Sequence, residues 1–404
     1  MTAALLFGVL SLFSIQAKAQ NNAVSQHYLQ KATASLYSLD YADSRKYLRK
    51  IIADNPENPF GYLFEAGAIW WQFSNENSLF LKQPDLQDLF TADVTEAIIK
   101  SKPMLASTDP EVRADGAFAQ GMALGLRGQW RLLMGHWIDA YFDGHRSLGF
   151  LHECLASDPA YYDADLGLGV YDYEAARFGR KIKMGFLFKI FGDEKRGIRL
   201  MSLAKEKGRY SRRQAAVFLL TLYIQDKKDY RDALPLAQEL RRDFPRSPYF
   251  EFVQAMLDYD SGLKDESFDL GADLFRKLGK DPARFNPKIL SLACSFSGNS
   301  CLNRRQMSSF MDWINGSIEK FYGNDSQKNW IVALRLLRGY SEGILGETAQ
   351  ADEDFHGVLA SPDFLDLHAR AERCLSFGCD KQSILGDLEK SAAGSPNGSA
   401  LLDP

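Results

Sequence analysis

His136, His145 and His152 come nearest to chemistry by type and spacing, with Glu153 and Cys154 directly behind them. Imidazoles serve as metal ligands or general bases, but each use needs a partner at a set place. His145 and His152 share a helix face, whereas the nearest acid, Glu153, lies one residue round the helix. The sequence carries no H-E-x-x-H run, no Gly-rich phosphate loop and no nucleophile elbow. The histidines therefore read as structural helix residues. No catalytic residue, metal ligand or cofactor is expected, and the chain reads as a non-enzyme. Cys154 lies five residues before Pro159, on a segment with Leu148 and Leu151, which suits a buried, inert thiol better than a reactive one. Two acidic pieces, DYDSGLKDE and ADED, fail the calcium-loop pattern. Gly262 comes one place too early in the first, and the second has no glycine. They read as a turn and a solvated face.

Recognition is better represented than catalysis. Adjacent Trp70 and Trp71 face different ways on a helix, so only one can point squarely into an interior. They suit a stacking surface for a peptide, sugar or lipid, or else an aromatic plug between helical layers. Tyr173, Glu174 and Arg177 form a group of mixed polarity that suits an extended peptide. Glu174 and Arg177 equally suit an ordinary surface ion pair worth about 0–1 kcal/mol. Downstream, RFGRKIKMGFLFKIFGDEK sets Arg177, Arg180, Lys181, Lys183 and Lys189 around Met184, Phe186, Leu187, Phe188, Ile190 and Phe191. That composition fits a segment lying on an anionic membrane surface, or a loop tucked into a hollow with lysines at its rim.

The elements that must position these residues announce themselves by a recurring spacing. Tyr41, Ser44 and Pro56 are matched by Tyr230, Ala233 and Pro245, and Gly144, Ser147 and Pro159 keep the same gap from small residue to proline. In DKKDYRDALPLAQELRRDFP, Ala233, Ala237 and Leu240 recur at helical spacing, while Arg231, Glu239 and Arg241 fall mostly off that stripe. Pro245 cannot continue the helix. Ala216 to Ile224 is a second apolar helix before the polar DKKD turn, so the unit reads helix, turn, helix, proline.

This pattern resembles the tetratricopeptide repeat, of roughly 34 residues, in its tyrosine, small residue and closing proline. Leu168 and Gly169 match the leucine–glycine pair of that repeat's first helix, while the tryptophan-containing consensus is absent. NPFGYLFEAGAIWW, DADLGLGVYDYEAA, GDEKRGIRLMSLAKEKGRY and GETAQADEDFHGVLASPDF look like segments of a family of bacterial envelope proteins built from such repeats; the likeness spans most of residues 28 to 370. It implies an all-α fold: a right-handed superhelical solenoid of about eight antiparallel helix pairs. In the register set by Pro56, Trp70 and Trp71 fall toward the concave side and Tyr62 toward the interior, and Tyr173, Glu174 and Arg177 also face the groove. Pro56 to Pro159 is 103 residues, close to three periods, but Pro159 to Pro245 is 86, about 18 beyond two. The surplus locates an insertion near 178–195, ahead of a helix from Gly197 to Lys205.

Composition bounds the rest. In 404 residues, 46% apolar and 25% charged, there is ample material for a packed core, and a net charge of −4 argues against a nucleic-acid partner. Ala3 to Ile15 is an apolar run too short to span a membrane, and Ala17-Lys18-Ala19 offers a cleavage site. Residues 1–19 are expected to be a signal peptide cleaved after Ala19, placing the chain in the periplasm; an uncleaved N-terminal membrane anchor is the alternative. Cys294 and Cys301, and Cys374 and Cys379, flank short turns and are expected to pair as local disulfides. Turns are expected at Asn75 to Asp85, Pro103 to Pro110 and Lys280 to Pro287, and residues 391–404 read as a tail of small residues. No turn forces a second domain, so 20–390 reads as one solenoid. The expected function is a non-catalytic scaffold or adaptor that binds an envelope protein or peptide through its concave face, with peripheral membrane contact open. The alternative is a lipid or glycan carrier that uses the insertion.

Overall fold

The computed structural model describes residues 25–76, 84–181, 192–224, 229–278, 328–363 and 366–379, with scattered positions between 307 and 319 and at 382 and 384. The expected signal segment 1–19, Cys294 and Cys301, the tail 391–404 and most of the insertion near 178–195 lie outside these residues. The described chain is helical throughout, with no strand. The helices are α1 (25–37), α2 (Tyr41–Asp54), α3 (Pro59–Glu76), α4 (Pro84–Leu105), α5 (Pro110–Leu133), α6 (Trp137–Ser157), α7 (Ala164–Lys181) and α8 (Glu194–Lys207). They continue as α9 (Arg212–Leu222), α10 (Tyr230–Asp243), α11 (Pro248–Asp260), α12 (Lys264–Leu278), α13 (Lys328–Leu345), α14 (Thr348–Leu359) and α15 (Leu367–Phe377).

The spacing read from the sequence has a physical basis. Ser44, Ser147 and Ala233 are all buried, where only a small side chain lets two helices close up. Pro56, Pro159 and Pro245 each stand two residues beyond the last residue of a helix, after Asp54, Ser157 and Asp243. At each of those ends the capping amide still donates back into the helix: Asn55 to Ile51, Asp158 to Cys154 and Phe244 to Leu240. The proline then bars another turn. Helix starts are equally legible, with Asp40, Asp109, Asp193 and Ser247 accepting from first-turn amides.

Two prolines behave otherwise. The expected turn from Pro103 begins later, because α4 runs through Pro103 to Leu105, and α10 likewise contains Pro235. A helical proline forfeits the bond to the carbonyl four residues back. Those residues, Ile99 and Arg231, are exposed, so water can take the bond's place. The helix expected at Gly197 to Lys205 is longer at both ends, because Asp193 caps it at 3.0 Å to the Arg196 amide.

By their contacts the described residues fall into two compact units. The first holds residues to Gln72 and from Pro84 to Ala216; the second holds 73–76 and those from Val217 onward. In the first, α4 packs on α5, α5 on α6, α6 on α7 and α7 on α8, and α5 also touches α7. The Leu168–Gly169 pair owes its glycine to the α7–α8 crossing. A methyl group on Gly169 would stand 2.8 Å from the Gly197 carbonyl, and one on Gly197 would stand 2.7 Å from the Gly169 carbonyl. In the second unit, α10 packs on α11, α11 on α12, α13 on α14 and α14 on α15. Cys374 and Cys379 form a disulfide at the end of α15.

Consecutive helices packing on their neighbours is compatible with an α-solenoid. The first unit adds a contact beyond nearest neighbours. Phe60 on α3 packs on Phe118 of α5 and, at 5.3 Å between ring centres, on Tyr210 in the α8–α9 loop. Asp163 holds that loop in place, accepting from the amides of Arg209, Tyr210 and Ser211 at 3.0, 2.7 and 2.7 Å and from the Ser211 hydroxyl at 2.8 Å.

Candidate functional site

The residues singled out for recognition sit as follows. Trp70 and Trp71 are both half-buried on α3. Trp70 lies 6.0 Å from Phe90 of α4, and Trp71 meets Tyr37, beside the α1–α2 turn, edge-on at 5.1 Å. Tyr173 is 3% exposed. Its burial follows from the α7–α8 crossing, since a Gly197 methyl would lie 2.9 Å from the Tyr173 amide nitrogen and 3.1 Å from its Cβ. Glu174 is exposed and pairs with Arg177 at 3.2 Å, while the Arg177 guanidinium stands 5.7 Å from the Tyr173 ring centre. Tyr173, Glu174 and Arg177 are thus gathered on one stretch of α7, and the two tryptophans belong to the packing of α3.

Cys154 is buried, and burial first, then the acids Asp115 and Asp158, pushes its thiol up to about 12, far from a thiolate at neutral pH. His145 stacks on Tyr141 at 6.3 Å. Among the described residues, no group of three His, Cys, Asp or Glu side chains is placed to hold a metal ion. One buried acidic pair lies between α3 and α4. Arg49 donates to Glu65 at 2.8 Å, but Glu65 Oε2 and Asp93 Oδ2 are buried with no hydrogen-bond partner among the described residues. Burial first, and the nearby Glu65 second, pushes Asp93 up to about 8, so this pair holds a proton at neutral pH.

The largest group of exposed apolar side chains among the described residues lies elsewhere. Helix α5, of 24 residues, is the longest described, and α6 has 21. Leu132, Leu133 and Met134 end one helix, Trp137, Ile138 and Phe142 begin the other, and all six are exposed, with Ile138 at 71% and Trp137 at 59%. The base of this tip is tightly built. Buried Asp143 accepts from Arg127 Nε at 2.8 Å and Nη2 at 2.7 Å, and from Arg131 Nη1 at 2.7 Å. Bidentate charged bonds of this kind fix the angle between two helices. The turn itself closes through Gly135 at φ +80°, with the His136 amide donating to Arg131 at 2.8 Å and the Gly135 amide to Leu132 at 3.1 Å. The apolar side chains are therefore presented by a rigid frame.

That tip was not singled out in the sequence. Its signal is LLMGHWI, an apolar run continuing on both sides of a turn glycine where turn chemistry is ordinarily polar. The α13–α14 hairpin makes the contrast plain. Arg127, Gly128, Gly135 and Asp143 recur there at identical spacing as Arg338, Gly339, Gly346 and Asp354, but Trp137, Ile138 and Phe142 are replaced by Thr348, Ala349 and Glu353.

Among the described residues, no helix is long and apolar enough to cross a membrane. The chain matches no protein-family model and no curated protein.

Proposed function

We propose that this chain is a binding scaffold without chemistry of its own. In this reading it is an exported, tetratricopeptide-like right-handed superhelix of about eight antiparallel helix pairs, and it docks onto another component of the cell envelope. The sequence favours a concave groove as the docking surface. The burial of Tyr173, and the engagement of Trp70 and Trp71 by neighbouring rings, shift the preference to the α5–α6 tip. The observation that carries the proposal is the exposure of six large apolar side chains around Gly135. Globular proteins rarely leave a contiguous apolar patch to water unless something covers it. A helical-repeat frame supplies the stiffness to hold such a patch in place.

Cross-linked capture from native cell envelopes tests this, using the chain from residue 20 and the same chain carrying W137T, I138A and F142E. Proteins and lipids are both read by mass spectrometry. A protein or lipid species captured by the first chain and missing from the second is the expected result. Identical capture by both chains removes the tip as the docking surface.

A further inference from the structure

The proposal above leaves the chemistry of the partner open. Resting on that reading of the tip as the contact surface, we infer that its partner is the interfacial region of a lipid bilayer, into which Leu132, Leu133, Met134, Trp137, Ile138 and Phe142 insert.

Two observations point to lipid. The first is placement: the six exposed side chains flank a single helix–helix turn. A soft apolar medium accepts such a turn without a matching cavity, and tryptophan beside aliphatic residues is the composition of the membrane interface. The second is polarity. Backbone groups entering an apolar medium must be satisfied internally. Here the turn amides of Met134, Gly135 and His136 donate to Trp130, Leu132 and Arg131 within the hairpin. Arg131 is already committed to Asp143 at 2.7 Å. What remains polar at the tip is His136, exposed Asp139 and the start of α6, which has no side-chain cap. These set the depth: they stay among the headgroups, where phosphate oxygens can accept from the first amides of α6.

The test is co-sedimentation of the chain from residue 20 with vesicles of phosphatidylethanolamine and phosphatidylglycerol. It is run beside W137T/I138A/F142E, whose new residues are those of the sound α13–α14 hairpin, and beside the single variant I138A. Binding by the unaltered chain, weakened more than about tenfold in the triple variant and partially in I138A, is expected. Quenching of tryptophan emission by brominated acyl chains should fall in parallel. Failure of the unaltered chain to bind vesicles overturns the inference, as does equal binding by all three chains. If vesicle binding fails while tip-dependent capture of a protein persists, the scaffold reading stands with a protein partner. A tip-dependent doubling of mass in sedimentation without vesicle binding identifies a second copy instead. If neither vesicles nor envelope components distinguish the variant, both readings fall.

Discussion

The α5–α6 and α13–α14 hairpins are one design used twice. Each sets an arginine eight residues before a turn glycine and an aspartate eight residues after it, and in each the arginine grips the aspartate. Both turns close alike: Gly135 at φ +80° with His136 donating to Arg131, and Gly346 at φ +88° with Glu347 donating to Glu342 at 2.9 Å. The frame therefore makes no demand for Trp137, Ile138 or Phe142, since Thr348, Ala349 and Glu353 serve as well in the same places. Apolar side chains that a fold does not need, and that it leaves in water, are the residues to assign to a partner.

The largest effect should come from exchanging these tips. Grafting T348W, A349I and E353F onto α13–α14, in a chain already carrying W137T, I138A and F142E, should move vesicle binding to the new site. It should leave folding stability within about 0.5 kcal/mol, because only solvent-facing positions change. If binding does not return, the tip's position in the first unit matters as well as its side chains. Next in size is the clamp. Asp143 draws on Arg127 and Arg131, whereas position 342, which corresponds to Arg131, is a glutamate, so Arg338 is the cation on Asp354 among the described residues. Removing one partner of a buried pair strands the other. R338A should cost about 2–4 kcal/mol and R127A about 1 kcal/mol, read from hydrogen exchange in α14 and α6. Equal losses would show that Arg131 contributes nothing to Asp143.

The helical framework was legible because its causes are local. A small residue is required wherever helices close up, a proline ends each repeat two residues past its last helical turn, and an aspartate or serine starts the next. The candidate site was less legible because exposure is not local. Tyr173 sits in a register consistent with a groove, but α8 crosses directly over it at Gly197, and no periodicity within α7 encodes that crossing. Trp70 and Trp71 pack against Phe90 and Tyr37, residues contributed from other helices. The tip could have been found. Comparing 127–143 with 338–354 shows five residues held constant, Arg127, Gly128, Gly135, Ala140 and Asp143, while Trp137, Ile138 and Phe142 change to Thr348, Ala349 and Glu353, a contrast that small-residue and proline spacings do not display.

The paired glycines sharpen the comparison further. A methyl group on Gly128 would rest 3.4 Å from the Ala140 carbonyl and Asp143 Cβ, an ordinary contact, whereas on Gly339 it would stand 2.7 Å from the Phe355 ring. Position 355 corresponds to Gly144, so the second hairpin fills with a phenylalanine what the first leaves open. G128A should therefore stabilise α5 by about 0.5–1 kcal/mol through helix propensity, while G339A should destabilise α13 by about 1–3 kcal/mol through overpacking. Thermal and chemical denaturation of the two variants read these opposite signs. A shared sign would mean that Phe355 can swing aside.

The smallest effect distinguishes the hairpins by pH. Glu342 is buried beside Asp354, with Arg338 at 3.9 Å, and one of its oxygens has no hydrogen-bond partner among the described residues. Burial first, then Asp354, pushes its carboxyl up to about 7. Because the folded state holds the proton more tightly than the unfolded chain, the group's contribution is fully present below the ordinary carboxyl range of about 4.3. It is lost as pH rises through about 7. In the first hairpin the corresponding place is taken by Arg131, bonded to Asp143. Hydrogen exchange in α13, corrected for the intrinsic rate, should show opening becoming easier from pH 5 to pH 8, and E342Q should flatten that slope while α5 is unaffected. If E342Q leaves the slope intact, the pH dependence arises from another carboxyl of the second unit, with Glu251, likewise pushed up to about 7 by burial, the first to replace.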